Sequence, residues 1–329
     1  MIQKNYKFVR HFTTIFLGAL LCAQVCAQHI TKFLFSETVP DYLRKTMQTN
    51  AEAVFAEINN AYDRNNSKLT LSLSNVTVDA NERIETIWAA SHFYCTETSI
   101  ITRVLKSSNG YQVRNIPVFF VQGEKPEDKY QDMVIEFTLD GKISDMYIAI
   151  ALNQYVKIMS NSGDVTDLRN RQMIVEFIEN FLTAYNRKDI SFLEKIYGDD
   201  LLILTGNMLY PQKRGDVPET KFSNGEQYLA NIKKVFEKNS YINIRFCEII
   251  VTQHEDNPNI YGIKLKQEWN ASDGFHDEGW LFLMIDYKDG NNPIIWVRTW
   301  QPLIDPNTGR EIHYNTEDIF EFKDFPLDK

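Results

Sequence analysis

Cysteine is scarce: the 329 residues contain four, and two of them, Cys22 and Cys26, fall within the first 27 positions. The other two, Cys95 and Cys247, lie far apart, which excludes a disulfide framework and reads as two separate buried thiols. The apolar run FTTIFLGALLC, Phe12 to Cys22, is well short of the roughly 20 residues that a membrane-crossing helix needs. Basic residues are in the minority, with 35 Lys and Arg against 44 Asp and Glu and a formal charge of −9. An acidic chain without a basic stripe repels phosphate backbones, so no nucleic-acid partner is expected. The sequence also has no glycine-rich phosphate loop, no G-x-S-x-G elbow and no recognisable Cys–His signature, so the common nucleotide and nucleophilic chemistries have no motif to support them.

At the N-terminus, Lys4, Lys7 and Arg10 precede the apolar run, and Val25 and Ala27 place small residues at a cleavage position after Ala27. This is the pattern of a secretory signal peptide. Acylation at Cys22 or Cys26 is disfavoured because Leu21 and Val25 precede them, where a residue smaller than either is expected. The expectation is an exported protein, periplasmic first and at the outer surface or secreted second, with no transmembrane segment in the mature chain. Removing residues 1–27 takes away three basic and no acidic side chains, leaving 302 residues and a formal charge of −12. At 43% hydrophobic and 13% aromatic this chain can bury a substantial core, and its length fits two domains better than one.

From Thr38 onward, Leu43, Met47, Ala51, Val54, Phe55, Ile58 and Tyr62 recur at helical spacing, with Thr38 as a cap and Pro40 in the first turn. Leu69, Leu71 and Leu73 alternate as a half-buried strand would. Further strands are expected at SIITRVLK, YQVRNIPVFFV, YQDMVIEFTL and ISDMYIAI, the last two joined by an Asp140-Gly141-Lys142 turn. A polar link, Ser160 to Leu168, then separates this half from a second. There Ile174, Phe177, Ile178, Phe181, Leu182 and Tyr185 mark a long helix, and NRKD breaks it. ISFLEKIYGDDLLIL gives a short helix passing into a strand. Ser223 and Glu226 have the spacing of a capping box before a third helix. Four strands close the chain: YINIRFCEIIVT, YGIKLKQEWN, EGWLFLMIDY and PIIWVRTWQ. Helices followed by runs of strands argue for an α+β class, here as a signal peptide (1–27), a first domain (28–159) and a second domain with a C-terminal tail (160–329).

The stretch RQMIVEFIENFLTAYNRKDISFLEKIYGDDLLI, with Asn186 and Asp189 at the helix break and Asp199 and Asp200 after the short helix, resembles the opening of nuclear-transport-factor-two-like domains. The closing strands are similar to that family's curved sheet. In the first half the likeness rests on the long helix and the VIEFTLDGKI hairpin. The whole is also similar to a group of tandem two-domain exported proteins of Bacteroidales. The resemblance implies two cystatin-like α+β cones in tandem, each with helices over the concave face of a bent antiparallel sheet and a pocket between. Such cones serve isomerases, dehydratases and hydrolases, and also proteins that only bind, so fold alone does not decide function.

The ligand-binding candidates are Tyr185, Asp200, Trp280, Trp296, Arg298 and Trp300, and no residue is assigned a catalytic role. Four of the five tryptophans, Trp269, Trp280, Trp296 and Trp300, lie on the closing strands and suit a pocket or an interface. Strand alternation would place Trp296, Arg298 and Trp300 on one face and Ile295, Val297 and Thr299 on the other. A guanidinium there needs a carboxylate, an aromatic ring or an anionic ligand, and an internal salt bridge is the first expectation. His276, Asp277 and Glu278 are consecutive, so they point in different directions and no metal site is expected; no cofactor is expected either. Asp199 and Asp200 read as a solvated helix end, and His276 as a loop histidine. Trp88, His92, Tyr94 and Cys95 read as a strand around a structural cysteine. The leading expectation is a non-enzymatic binding protein for a small apolar or anionic ligand or an envelope protein. The alternatives are an isomerase, dehydratase or hydrolase using a pocket carboxylate, and an envelope scaffold or homodimer.

Overall fold

A computed structural model describes residues 30–36, 38–107, 109–123, 126–160, 165–205, 221–287, 292–305 and 308–325. The segment read as a signal peptide, residues 1–27, lies outside these residues. The first half begins with β1 (Lys32–Phe35) and α1 (Asp41–Asp63). All the predicted stripe residues of α1 from Leu43 to Ile58 are buried. Pro40 takes the N-cap position without a side-chain cap, and Thr38 instead donates to the Val104 carbonyl at 2.9 Å. Leu69 and Leu71 point inward, but Leu73 is exposed and no strand forms around them. The segment is held by two backbone bonds, Thr77 N–H donating to the Ile143 carbonyl and Ile143 N–H to the Asn75 carbonyl, so the predicted strand becomes an irregular lead into α2.

That helix, α2 (Val78–Ala90), was not expected, although Thr77 caps it by accepting from the Ala80 N–H at 3.2 Å. Short strands β2 (Phe93–Cys95), β3 (Ser99–Thr102) and β4 (Leu105–Lys106) follow. Then come β5 (Tyr111–Phe120), the short α3 (Pro126–Lys129), β6 (Tyr130–Phe137) and β7 (Ile143–Ile148). The sheet runs β2-β5-β6-β7 antiparallel with β4 beside β5, while β1 and β3 form a separate parallel pair. At the hairpin after β6, Gly141 adopts φ 88°, a left-handed conformation that glycine reaches without steric cost.

A further unpredicted helix, α4 (Leu152–Met159), leads toward α5 (Leu168–Asn186). Asp189 caps α6 (Ile190–Ile196) by accepting from Phe192, and Lys188, at φ 59°, makes the NRKD break. The chain continues as β8 (Tyr197–Thr205), β9 (Lys221–Asn224) and α7 (Gly225–Lys238). The cap of α7 is Asn224, accepting from Gln227 at 2.8 Å, one residue beyond the predicted Ser223, because β9 carries Ser223 in its pairing with β8. Four strands complete the sheet: β10 (Ile242–Gln253), β11 (Ile260–Ala271), β12 (His276–Asp286) and β13 (Ile294–Pro302). The order is β10-β11-β12-β13-β8-β9, antiparallel throughout except where β13 meets β8.

Each half is therefore an α+β unit with helices on a curled sheet, as the sequence reading expected. The two halves nevertheless share one hydrophobic core. The reason is α5, which packs against β10 of its own sheet and β7 of the first. A helix buried on two sides cannot be amphipathic in the simple sense, and α5 accordingly buries Arg171, Glu179, Asn180 and Thr183 alongside its apolar stripe. Across this seam, Arg114 forks onto Glu179 with one bond at 2.9 Å, and Glu179 also accepts from the Ile150 N–H at 2.9 Å. Thr183 accepts from the Ile148 N–H, and Tyr155 lies under the Arg114 guanidinium at 4.0 Å.

The opposite face of the second sheet carries a smaller cluster, Leu204, Ile260, Phe282, Met284, Val297 and Phe320. The C-terminal segment closes over it: Phe325 stacks on Phe282 with centroids 5.7 Å apart, and Gln301 bonds both the Asp318 carbonyl and the Phe320 N–H. The two cysteines are unbonded. Cys95 is buried, whereas Cys247 is exposed, contrary to expectation, because β10 breaks register between Cys247 and Ile250 and Glu248 there adopts φ 51°. Trp88 stacks on His92 at 4.2 Å, and the Cys95 N–H donates to Asn59, so that constellation is packing.

Candidate functional site

Between α7 and the concave face of the second sheet lies a cavity of about 330 Å³. Its floor and walls come from Gln267, Trp269 and Ala271 on β11, Asp277 on β12, and Arg298 and Trp300 on β13. Tyr228, Ile232 and Val235 on α7 form the opposite wall, and the Lys238–Asp273 ion pair at 2.8 Å stands among the lining residues.

Strand periodicity explains this set. On β11 and β12 alternate residues face the cavity side, so Asp277 enters the cavity together with Leu281 and Leu283 of the core below it. His276 and Glu278, each one residue away, go elsewhere. His276 meets Asn270 at 2.9 Å and Glu278 pairs with Lys266 at 2.6 Å. The same alternation puts Trp280 on the outer face with Phe282 and Met284, away from the cavity.

On β13 the expected alternation fails at one point. Met284 pairs with Val297 and Ile285 with Ile295, leaving Trp296 as an extra residue in a β-bulge. Trp296 is pushed out and is 37% exposed, while Ile295 turns to the core side. Arg298 and Trp300 do share the cavity face, and the third member of the predicted trio does not. Asp200 lies within β8, and its side chain is outside the described residues.

Tyr185 lies immediately behind the cavity, fully buried, with its ring 5.7 Å from Trp269. Its hydroxyl meets those of Tyr197 at 2.8 Å and Tyr228 at 2.7 Å. Burial first, and then the neighbouring tyrosines, pushes the Tyr185 and Tyr197 phenols well above their ordinary range, so both stay protonated at neutral pH. This chain of hydroxyls backs Arg298, whose guanidinium sits 4.9 Å from the centre of the Tyr228 ring.

Arg298 is 6% exposed, its Nε has no hydrogen-bond partner, and among the described residues no carboxylate forms an ion pair with it. The internal salt bridge expected for it is not found among the described residues. The nearest acid by influence is Asp277, but its carboxylate accepts from the Trp300 indole N–H at 3.1 Å. Burial raises the Asp277 pKa above the usual carboxylate range, partly offset by that bond and by the positive charge of Arg298. The cavity thus presents a desolvated cation, two indoles, a phenol ring and an amide, an arrangement able to hold an anionic group at one end and a flat apolar body along the rest.

No protein-family model and no curated protein matches this chain. Among solved structures, it is similar to a Bdellovibrio bacteriovorus protein at 16% identity, over 49% of this chain and 56% of that one, with a TM-score of 0.32. This chain therefore spans little more than half of that relative. It is also similar to an NTF2-like protein of Pseudomonas putida at 12% identity, covering 42% of this chain and 90% of that one, TM-score 0.32. A cystatin-like-fold protein of Nostoc punctiforme matches at 10% identity over 44% of this chain and 96% of that one, TM-score 0.31.

Of the cavity's lining, sequence reasoning missed Tyr228, Gln267 and Asn239 as site residues. Gln267 and Trp269 alternate on β11, which placed them on one face, but nothing local showed that this face was the open one.

Proposed function

We propose that this is an exported, non-enzymatic binding protein whose second cone takes a small molecule with an apolar, preferably aromatic, body and one anionic group. The observation that carries the reading is the buried, unpaired Arg298 Nε in the wall of an open cavity. A guanidinium N–H removed from water without an acceptor is costly, and a bound carboxylate would supply the partner that Nε lacks. Trp269 and Trp300 would flank the apolar part. Export is supported by the basic start, the short apolar run and the small residues before Gln28.

The test is tryptophan fluorescence titration of the mature chain with benzoate and with benzamide as its neutral counterpart, repeated on Arg298→Met. Benzoate should bind more tightly than benzamide, and Arg298→Met should weaken benzoate by about tenfold to a hundredfold, the worth of one charged hydrogen bond. Equal binding of the two probes, or no loss in the variant, would exclude the reading.

One observation favours the enzymatic alternative: Asp277 is a partly buried carboxyl of raised pKa in the same cavity. That reading requires turnover of a carboxylate substrate that stops in Asp277→Asn while binding persists.

A further inference from the structure

A second cavity of about 330 Å³ lies along the seam between the halves, and its chemistry is opposite to the first. Sheet and helix line it jointly: Glu136 comes from β6, and Glu176, Phe177 and Asn180 come from successive turns of α5. Tyr287 and Phe192 add aromatic wall.

The basic groups of the lining are Arg83 and Lys195. Arg83 pairs with Asp145 at 2.7 Å, and Arg114 is taken by Glu179. Lys195 of α6 also lines the cavity but is an exposed side chain. Glu136 itself is 6% exposed and, among the described residues, has no ion-pair partner; one of its oxygens accepts from the Tyr147 hydroxyl at 2.7 Å. Asn180, 9% exposed, donates its amide N–H to the Glu176 carbonyl, leaving its side-chain oxygen without any partner.

Although Arg83 and Lys195 also line the cavity, Glu136 has no ion-pair partner among the described residues and the Asn180 side-chain oxygen has no hydrogen-bond partner, so these two acceptors can each take a donor. The described residues contain no cluster of three metal-ligating side chains there, and the walls are aromatic, which suits an organic cation better than a metal ion.

We propose that the seam cavity is a second ligand site, for a primary ammonium whose N–H groups are accepted by Glu136 and Asn180 near Glu176 and whose apolar body lies against Phe177 and Tyr287. An ammonium has three donors and no acceptor, the complement of the Glu136 and Asn180 oxygens. The site draws on both halves, so it exists only when they are packed together. Burial, and then the like charge of Glu176, pushes the Glu136 carboxyl up to about 8, with Ser107 and Tyr147 opposing and Asp145 adding to the rise. The resting site is therefore largely neutral at pH 7, and a cation entering it displaces the proton of Glu136.

The experiment is calorimetry on the mature full-length chain with phenylethylammonium chloride, its neutral counterpart phenylethanol, and calcium chloride, in buffers of differing ionisation enthalpy. Phenylethylammonium should bind, release up to one proton below about pH 8, and bind more tightly as pH rises through that value. Glu136→Gln should weaken it at least about tenfold and abolish the proton release, and Asn180→Leu should weaken it as well. Benzoate titration and circular dichroism of Glu136→Gln should match the parent, showing that the fold is intact. Phenylethanol binding equally well, pH-independent binding, an unaffected Glu136→Gln, a response to calcium alone, or no heat with millimolar phenylethylammonium would each overturn the proposal.

Discussion

Replacing Arg298 by methionine separates a binding residue from an architectural one through the sign of its effect on stability. Were Arg298 held by an internal carboxylate, removing it would strand a buried charge and cost about 3–5 kcal/mol. The structure shows a different balance. An unmade hydrogen bond on a buried donor costs about 1–3 kcal/mol, and the guanidinium over Tyr228 returns about 0.5–2 kcal/mol. The two nearly cancel. Methionine has similar length, no donor to satisfy and a sulfur that packs well on aromatic rings, so Arg298→Met should leave stability within about 1 kcal/mol of the parent, on either side. Urea unfolding followed by far-UV circular dichroism measures this, and benzoate titration of the same variant measures function. Unchanged stability with lost binding is the expected pair. A loss above about 3 kcal/mol with binding intact would show that Arg298 is structural and that the missing partner was misjudged.

Two further predictions concern the seam. Glu136 ionises near 4.5 in the unfolded chain and near 8 in the fold, so between these values the fold holds a proton that the unfolded chain has released. Its contribution to stability is fully present below about pH 4.5 and falls as pH rises toward 8, by about 1.4 kcal/mol per unit; Glu136→Gln should flatten this slope in urea unfolding series at stepped pH. Glu179→Ala should cost about 3–5 kcal/mol, because it leaves Arg114 charged and buried, while the double replacement Arg114→Met with Glu179→Leu should recover most of that loss in the same assay.

Much of the fold was legible because it follows from local periodicity. The stripes from Leu43 to Ile58 and from Ile174 to Tyr185 mark helices by spacing alone, and the closing strands carry enough β-branched and aromatic residues to be placed within a residue or two. The readings that failed are those in which a distant partner outvotes local pattern. Leu69, Leu71 and Leu73 alternate as a strand does, yet pairing with the sheet starts only after them, at the isolated bridge of Val76 to Ile143. Asn224 caps α7 because β9 engages Ser223. The polar residues Glu179, Asn180 and Thr183 of α5 are buried because the helix packs against two sheets, which its own spacing does not show.

The candidate sites show the same division. The sequence by itself determined that the chain carries an export signal pattern, an acidic charge, an α+β build and a strand on which an arginine sits among tryptophans. Tertiary structure alone decided which tryptophans join Arg298. A single extra residue in β13 rotates Trp296 out of the set, and β12, paired with β13 on one side and β11 on the other, brings Trp269 in from a position 29 residues away in the chain. It also decided that Arg298 has no counter-ion among the described residues and that Glu136 faces α5 across the seam. Periodicity fixes which way a side chain points within its own element; only packing between elements fixes what it meets, and it is the partner that determines whether a buried charge is architecture or a site.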